Sequence, residues 1–129
     1  MPVAEPAPAA GKRVEKPWGF EVWFVVTDRY AGKILHIDAG EQLSLQYHER
    51  KDEAIWVLTG ELELELDDAD GNLVVHRLQP GESQRILPHQ RHRMRAVTQP
   101  VELCEVSTPE LDDVVRLRDR YGRVGTADR

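Results

Sequence analysis

An all-β barrel or sandwich is the fold class this sequence predicts. Three observations carry it: short runs of β-branched, aromatic or alternating residues recur between residues 20 and 107, turn residues stand in nearly every gap, and Glu61-Leu62-Glu63-Leu64-Glu65-Leu66 alternates strictly. Short strands at regular spacing, each closed by a breaker, are the pattern of antiparallel all-β domains. At 129 residues the chain has the size of one ordinary domain and can bury a core without disulfide staples. One domain is therefore expected over residues 13–129. The first residues, mostly Pro, Ala and Val, bury too little apolar surface to offset the entropy of ordering them, so residues 1–12 are expected to be a disordered tail.

In chain order, the runs that read as strands cover residues 21–27, 33–38, 43–49, 54–58, 61–67, 73–78, 83–87, 92–98 and 101–107. Between them stand Gly32, Ala39-Gly40, Thr59-Gly60, Asp70-Gly71-Asn72, Pro80-Gly81 and Gln99-Pro100, each offering tolerance of positive φ or a fixed φ that stops a strand. In the alternating run a period of two puts Leu62, Leu64 and Leu66 on a core face and Glu61, Glu63 and Glu65 on a wet one. Near the C-terminus, Thr108-Pro109 offers a helix cap with proline at the first helical position, and Gly122 offers a stop. A short helix is expected between residues 109 and 121, with Asp112, Arg116 and Arg120 in a charged stripe at spacings of four.

Composition narrows the function. A net charge of -6 argues against a general attraction to nucleic acid or anionic lipid. No apolar run approaches the roughly 20 residues that cross a bilayer, and no secretory segment opens the chain, so the cytoplasm is the expected location. With Cys104 alone, neither a disulfide framework nor a cysteine-rich zinc site can form, which leaves nitrogen and oxygen donors for any metal. A small substrate or a second copy of the chain is the expected partner. Trp18, Phe20, Trp23 and Phe24, clustered near the first strand, suit the contact of a homodimer.

One constellation carries chemistry. Gln46 and His48 stand two apart on a predicted strand and share a face, and Glu53 opens the next strand after the polar turn Arg50-Lys51-Asp52. The segment from Gly81 to Leu87-Pro88-His89-Gln90-Arg91 then ends in His92, at another turn-to-strand boundary. Gln46, His48, Glu53 and His92 are thus candidate ligands for one divalent ion that tolerates mixed nitrogen and oxygen donors: Zn, Mn, Fe, Co or Ni. His36, His76 and His89 lie outside that spacing and read as ordinary surface or core residues.

The two segments resemble the two motifs of the cupin superfamily, whose fold is a double-stranded β-helix or jelly-roll barrel. Gln46 stands where many cupins have a first histidine, Pro88 is one step late, and His89 occupies a common glycine position. More narrowly the chain is similar to the cupin domain of type II phosphomannose isomerases, which also occurs fused behind GDP-mannose pyrophosphorylase. That likeness rests on Lys16-Pro17-Trp18-Gly19, Arg29-Tyr30 with Lys33, Leu43-Ser44-Leu45-Gln46-Tyr47-His48, Glu53, His92-Arg93 and Glu105-Val106. It continues through Asp113-Val114-Val115-Arg116 and Asp119-Arg120-Tyr121-Gly122-Arg123. In that family glutamine at the position of Gln46 is usual, whereas Glu49-Arg50-Lys51-Asp52 and Ala54-Ile55 replace a histidine-rich run and a His-Trp pair.

The resemblance implies a metal-dependent sugar-phosphate isomerase that works through an enediolate. With Glu53 committed to metal, Glu105 is the candidate base, because it shares a face with Val101 and Leu103. Lys33, on the face of Leu35 and Ile37, is a second candidate catalytic residue, for substrate oxygen or phosphate, and Arg93, Arg116 and Arg120 are candidates for a phosphate clamp on a sugar phosphate or nucleotide sugar. The alternatives are another cupin metalloenzyme, such as an iron dioxygenase, and a non-catalytic carbohydrate- or nucleotide-sugar-binding barrel.

Overall fold

The computed structural model describes residues 10–126, whose regular structure is twelve strands and no helix. They are β1 Lys12–Lys16, β2 Gly19–Val26, β3 Ala31–Ile37, β4 Leu45–Tyr47, β5 Glu53–Thr59, β6 Leu62–Asp67, β7 Leu73–Leu78, β8 Ser83–Ile86, β9 His92–Ala96, β10 Val101–Ser107, β11 Val115–Arg118 and β12 Gly125–Thr126. Two six-stranded antiparallel sheets result, in the orders β1-β2-β3-β10-β5-β8 and β12-β11-β4-β9-β6-β7. All nine strands read from the sequence are present, with ends within two residues of expectation. Of the expected tail, residues 1–9 lie outside the described residues, and Lys12 opens β1.

Alternation decides which side chains enter the core. Leu62, Leu64 and Leu66 of β6 are buried, while Glu63 and Glu65 face outward, where Arg95 and Arg93 stand opposite them on β9 at 3.2 and 2.7 Å. Leu35, Ile37, Ile55, Val57, Met94, Val101 and Leu103 complete the interior between the sheets, each worth roughly 1.5–3 kcal/mol of burial. Gly60 closes the β5–β6 turn at φ 79°, and a Cβ there would sit 2.4 Å from the Pro100 carbonyl oxygen, so only glycine fits.

The expected C-terminal helix is not formed. Residues 108–114 make turns, and the chain then extends as β11, which pairs with β4 and β12. Local capping signals lose to long-range bonds: the Thr108 hydroxyl, instead of capping a helix, accepts from the Asp52 amide at 3.0 Å, and the Thr108 amide donates to the Asp52 carbonyl at 3.0 Å. The β-branched pair Val114-Val115 suits the extended form. The aromatics expected at a dimer contact are also divided. Trp18 is 2% exposed and belongs to the core, Phe20 stacks on His36, and of the four only Phe24 is broadly exposed.

Candidate metal centre

Cross-strand partners point to the same face of a sheet. Gln46 of β4 is paired with His92 of β9 on one side and Arg116 of β11 on the other, so the three form one row across the second sheet. In the first sheet, Trp23, Lys33 and Glu105 form a corresponding row across β2, β3 and β10. His48 follows β4 directly and Glu53 opens β5, so the connection between the two sheets begins at one candidate ligand and ends at another.

His48, Glu53 and His92 are buried, and one donor atom from each lies within 4.8 Å of the others. Glu53 Oε2 is 3.6 Å from His48 Nε2, and Oε1 is 3.5 Å from His92 Nε2. Both rings are oriented by carbonyl oxygens, His48 Nδ1 donating to Asp113 at 2.6 Å and His92 Nδ1 to Gln90 at 2.9 Å. A carbonyl only accepts, so the ring hydrogen sits on Nδ1 and each Nε2 of a neutral ring turns its lone pair inward. Neither Nε2 has a hydrogen-bond partner. Orphaned buried polar atoms of this kind cost about 1–3 kcal/mol each unless something satisfies them. Two imidazole lone pairs and a carboxylate are a donor set for a divalent transition metal. Burial lowers the His92 pKa, which keeps it in the neutral, ligating form.

Beside this cluster stands Lys51, buried, with Nζ 3.0 Å from Glu53 Oε2 and 3.0 Å from Glu105 Oε2. Burial opposes its charge, but Glu105 and Glu53 outweigh burial and raise its pKa, so it stays an ammonium. Glu53 answers the same balance. Burial alone would raise it, while the Lys51 ammonium beside it pulls it well below the usual carboxylate range. The Asp113 carboxylate accepts from three successive amides, those of Glu49, Arg50 and Lys51, at 3.0, 2.6 and 2.9 Å. Such a nest of amides holds an anion well. One residue of the C-terminal segment thus pins both the loop and, through its carbonyl, the His48 ring. One cavity is lined by Gln46, His48, Lys33, Lys51 and Glu105, and also by Lys16, Asp112, Arg116 and Arg123.

Residues 33–107 match the family model described as a cupin domain. The chain belongs to the cupin family. This cupin is 35% identical over 117 residues to mannose-1-phosphate guanylyltransferase of Escherichia coli (strain K12), a match that covers 88% of the chain and 23% of that protein. It therefore spans less than a quarter of that relative's length. Among solved structures it is similar to KdgF from Halomonas sp., with TM-score 0.69 and 22% identity over 78% of this chain and 90% of that one. Oxalate decarboxylase from Bacillus subtilis superposes with TM-score 0.73 and 12% identity over 88% of this cupin and 33% of the enzyme. At those identities both structures show the shared fold. No helix among the described residues is long and apolar enough to cross a membrane.

Of the residues singled out from the sequence, the cupin brings His48, Glu53 and His92 together and lines the adjoining cavity with Gln46, Lys33, Glu105 and Arg116. Gln46 Oε1 accepts from Ser44 Oγ at 2.7 Å, and Lys33 Nζ lies 3.5 Å from Glu21 Oε1. Two candidates lie elsewhere. Arg93 alternates with buried His92 and Met94, so it faces outward to Glu65. Arg120 is exposed and donates to the Gly40 carbonyl at 2.8 Å. His89 sits at φ 66°, the left-handed region that explains why glycine is common there.

Sequence reasoning missed Lys51, Asp113, Glu21, Lys16 and Arg123. Lys51 hid in the polar triplet Arg50-Lys51-Asp52, where solvent exposure is the default and no periodicity marks an inward side chain. For Asp113 and Arg123 a signal was available in the C-terminal stretch, which the likeness to type II phosphomannose isomerases had already marked.

Proposed function

We propose that this cupin is a metal-dependent sugar-phosphate isomerase of the mannose-6-phosphate isomerase type, converting aldose to ketose through an enediolate. One observation carries the reading: an interior carboxylate, Glu105, bridged by a charged lysine to a metal-type ligand, faces the same cavity as His48. A divalent metal held by His48, Glu53 and His92, with Gln46 as fourth ligand, would act as a Lewis acid on the substrate carbonyl.

The rest of the chemistry falls to the chain's own residues. Glu105 removes the proton from the hydroxyl-bearing carbon beside the carbonyl and returns it to the former carbonyl carbon, while the hydroxyl proton passes from one enediolate oxygen to the other, so no oxidant or reductant is needed. Lys51 lies against Glu105 Oε2 at 3.0 Å, and its raised pKa makes it a fixed positive charge for the enediolate oxygen rather than a proton donor. Lys33, held by Glu21, is placed to orient a substrate hydroxyl. The name of the guanylyltransferase relative, which points to a mannose phosphate, supports a sugar-phosphate ligand here as well.

The deciding assay takes protein loaded in turn with Zn, Mn, Fe, Co and Ni and a panel of phosphorylated aldoses and ketoses, mannose 6-phosphate and fructose 6-phosphate first. Interconversion is expected, abolished in His48→Ala and reduced about 10²–10⁴-fold in Glu105→Gln. Absence of turnover across metals and panel removes the isomerase. A second reading, a non-catalytic binding barrel, is favoured by the alignment of the chain with only part of a longer transferase. Ligand-dependent thermal stabilisation without turnover would support it. In either case we place a homodimer contact on the outer face of the first sheet, where Phe24, Trp56 and Val106 are exposed, a prediction that light scattering checks.

A further inference from the structure

Five cations line the cavity, Lys16, Lys33, Lys51, Arg116 and Arg123, against the three carboxylates of Glu21, Glu105 and Asp112. Lys33 is paired with Glu21, and Lys51 with Glu53 and Glu105. Arg123 is anchored on Asp119 through Nε at 2.9 Å and one terminal nitrogen at 3.1 Å, which leaves its other terminal nitrogen for a ligand. Lys16 and Arg116 make no ion pair among the described residues, although both are half-buried and line the cavity with Arg123. Arg116 Nε is buried and has no hydrogen-bond partner. Burial, then the charge of Arg123, lowers the Arg116 pKa against the pull of Asp119 and Glu21, and burial likewise lowers Lys16 against the pull of Glu21.

We propose that Lys16, Arg116 and Arg123 form a subsite for one terminal phosphate, which fixes the ligand class as a phosphomonoester of a short-chain sugar. The inference rests on the reading of this cavity as a sugar-phosphate site. Three cations, two of them guanidinium forks, match a dianion with several acceptor oxygens. Placement supplies the length. Arg116 and His92 stand at either end of the row through Gln46, so their backbones are two strand spacings apart, roughly 10 Å. A six-carbon chain with its reacting carbons at the His92 end and its phosphate at the Arg116 end spans that order of distance.

The test is titration calorimetry on the full chain, with and without chelator, using glucitol 6-phosphate, which cannot isomerise, then glucitol and a guanosine diphosphate sugar. Expected is binding of glucitol 6-phosphate at least tenfold tighter than of glucitol. Lys16→Gln and Arg116→Gln each erase most of that difference, Arg116→Lys restores part of it, and Arg77→Gln on the outer face leaves it intact. The proposal is overturned by wild-type affinity for glucitol 6-phosphate in both glutamine variants. It is equally overturned if the wild type does not prefer the phosphorylated polyol, or prefers the nucleotide sugar over it. Because no turnover is required, a protein that binds in this way but isomerises nothing loses the isomerase reading alone. One that isomerises with unchanged KM in both variants loses the subsite alone.

Discussion

Two sets of opposed charges, built from the same residue types, occupy opposite faces of this barrel. On the outer face of the second sheet Glu63 and Glu65 of β6 stand beside Arg95 and Arg93 of β9, in contact with water. Inside, Lys51 sits between Glu53 and Glu105, all three nearly inaccessible. In water such pairs gain little, because solvent screens the attraction and two long side chains lose freedom. In the interior each charge has been stripped of water, so each depends on its partners, and removing one strands the others. The difference teaches where function is invested. The outer ladder keeps the wet face of the sheet polar and β6 and β9 in register, whereas the inner group holds charge at a place where a reaction can use it.

The largest expected effect tests the inner set. Lys51→Met leaves Glu53 and Glu105 buried without a cation, and denaturant unfolding of the metal-free protein is expected to show a loss of about 3–5 kcal/mol. A loss below 1 kcal/mol would erase the contrast. Next comes the metal. At a hundredfold excess over its dissociation constant, an ion that binds only the folded state adds about 2.7 kcal/mol, read as a rise in Tm that chelator reverses. That rise is expected to vanish in His92→Ala, since the orphaned Nε2 is what the ion satisfies.

Acid unfolding sharpens the comparison. Hydrogen bonds from Arg91 hold the Asp67 carboxyl below its ordinary range at the outer rim, and Glu53 is held lower still by the Lys51 ammonium beside it, against its burial. Both folded-state pKa values are depressed, so the unfolded chain binds more protons on the acid side. Their stabilisation is present above about pH 4 and is lost as pH falls further. In metal-free protein Glu53→Gln is expected to flatten the acid limb more than Asp67→Asn, and equal slopes would argue against the inner–outer distinction. The smallest effect belongs to the outer ladder: Arg93→Ala is expected to cost no more than about 1 kcal/mol and to leave metal binding unchanged.

Much of the fold and of the metal-type cluster is legible in the sequence. The leucines of β6 announced one buried face, Thr59-Gly60 announced its turn, and two spaced segments announced His48, Glu53 and His92. Those features are local, depending on alternation or on a residue's own φ preference. The failures were of another kind. Thr108 and Pro109 carry the local marks of a helix start, but Asp52 claims the Thr108 hydroxyl and the amides of Glu49, Arg50 and Lys51 claim the Asp113 carboxylate. Lys12 to Lys16, polar on both faces, gave no strand pattern and forms β1 only because β2 offers its edge.

The order of residues along the chain dictated which side chains share a strand face, where strands stop, and that only nitrogen and oxygen donors were available, since period-two alternation and turn preferences act between neighbours. Tertiary structure alone decided that Lys51 turns inward, that Asp113 orients His48, and that Arg116 rather than Arg93 or Arg120 faces the cavity. Those outcomes depend on which distant segments meet and how much water they exclude, and the energy of a buried charge is set by that exclusion.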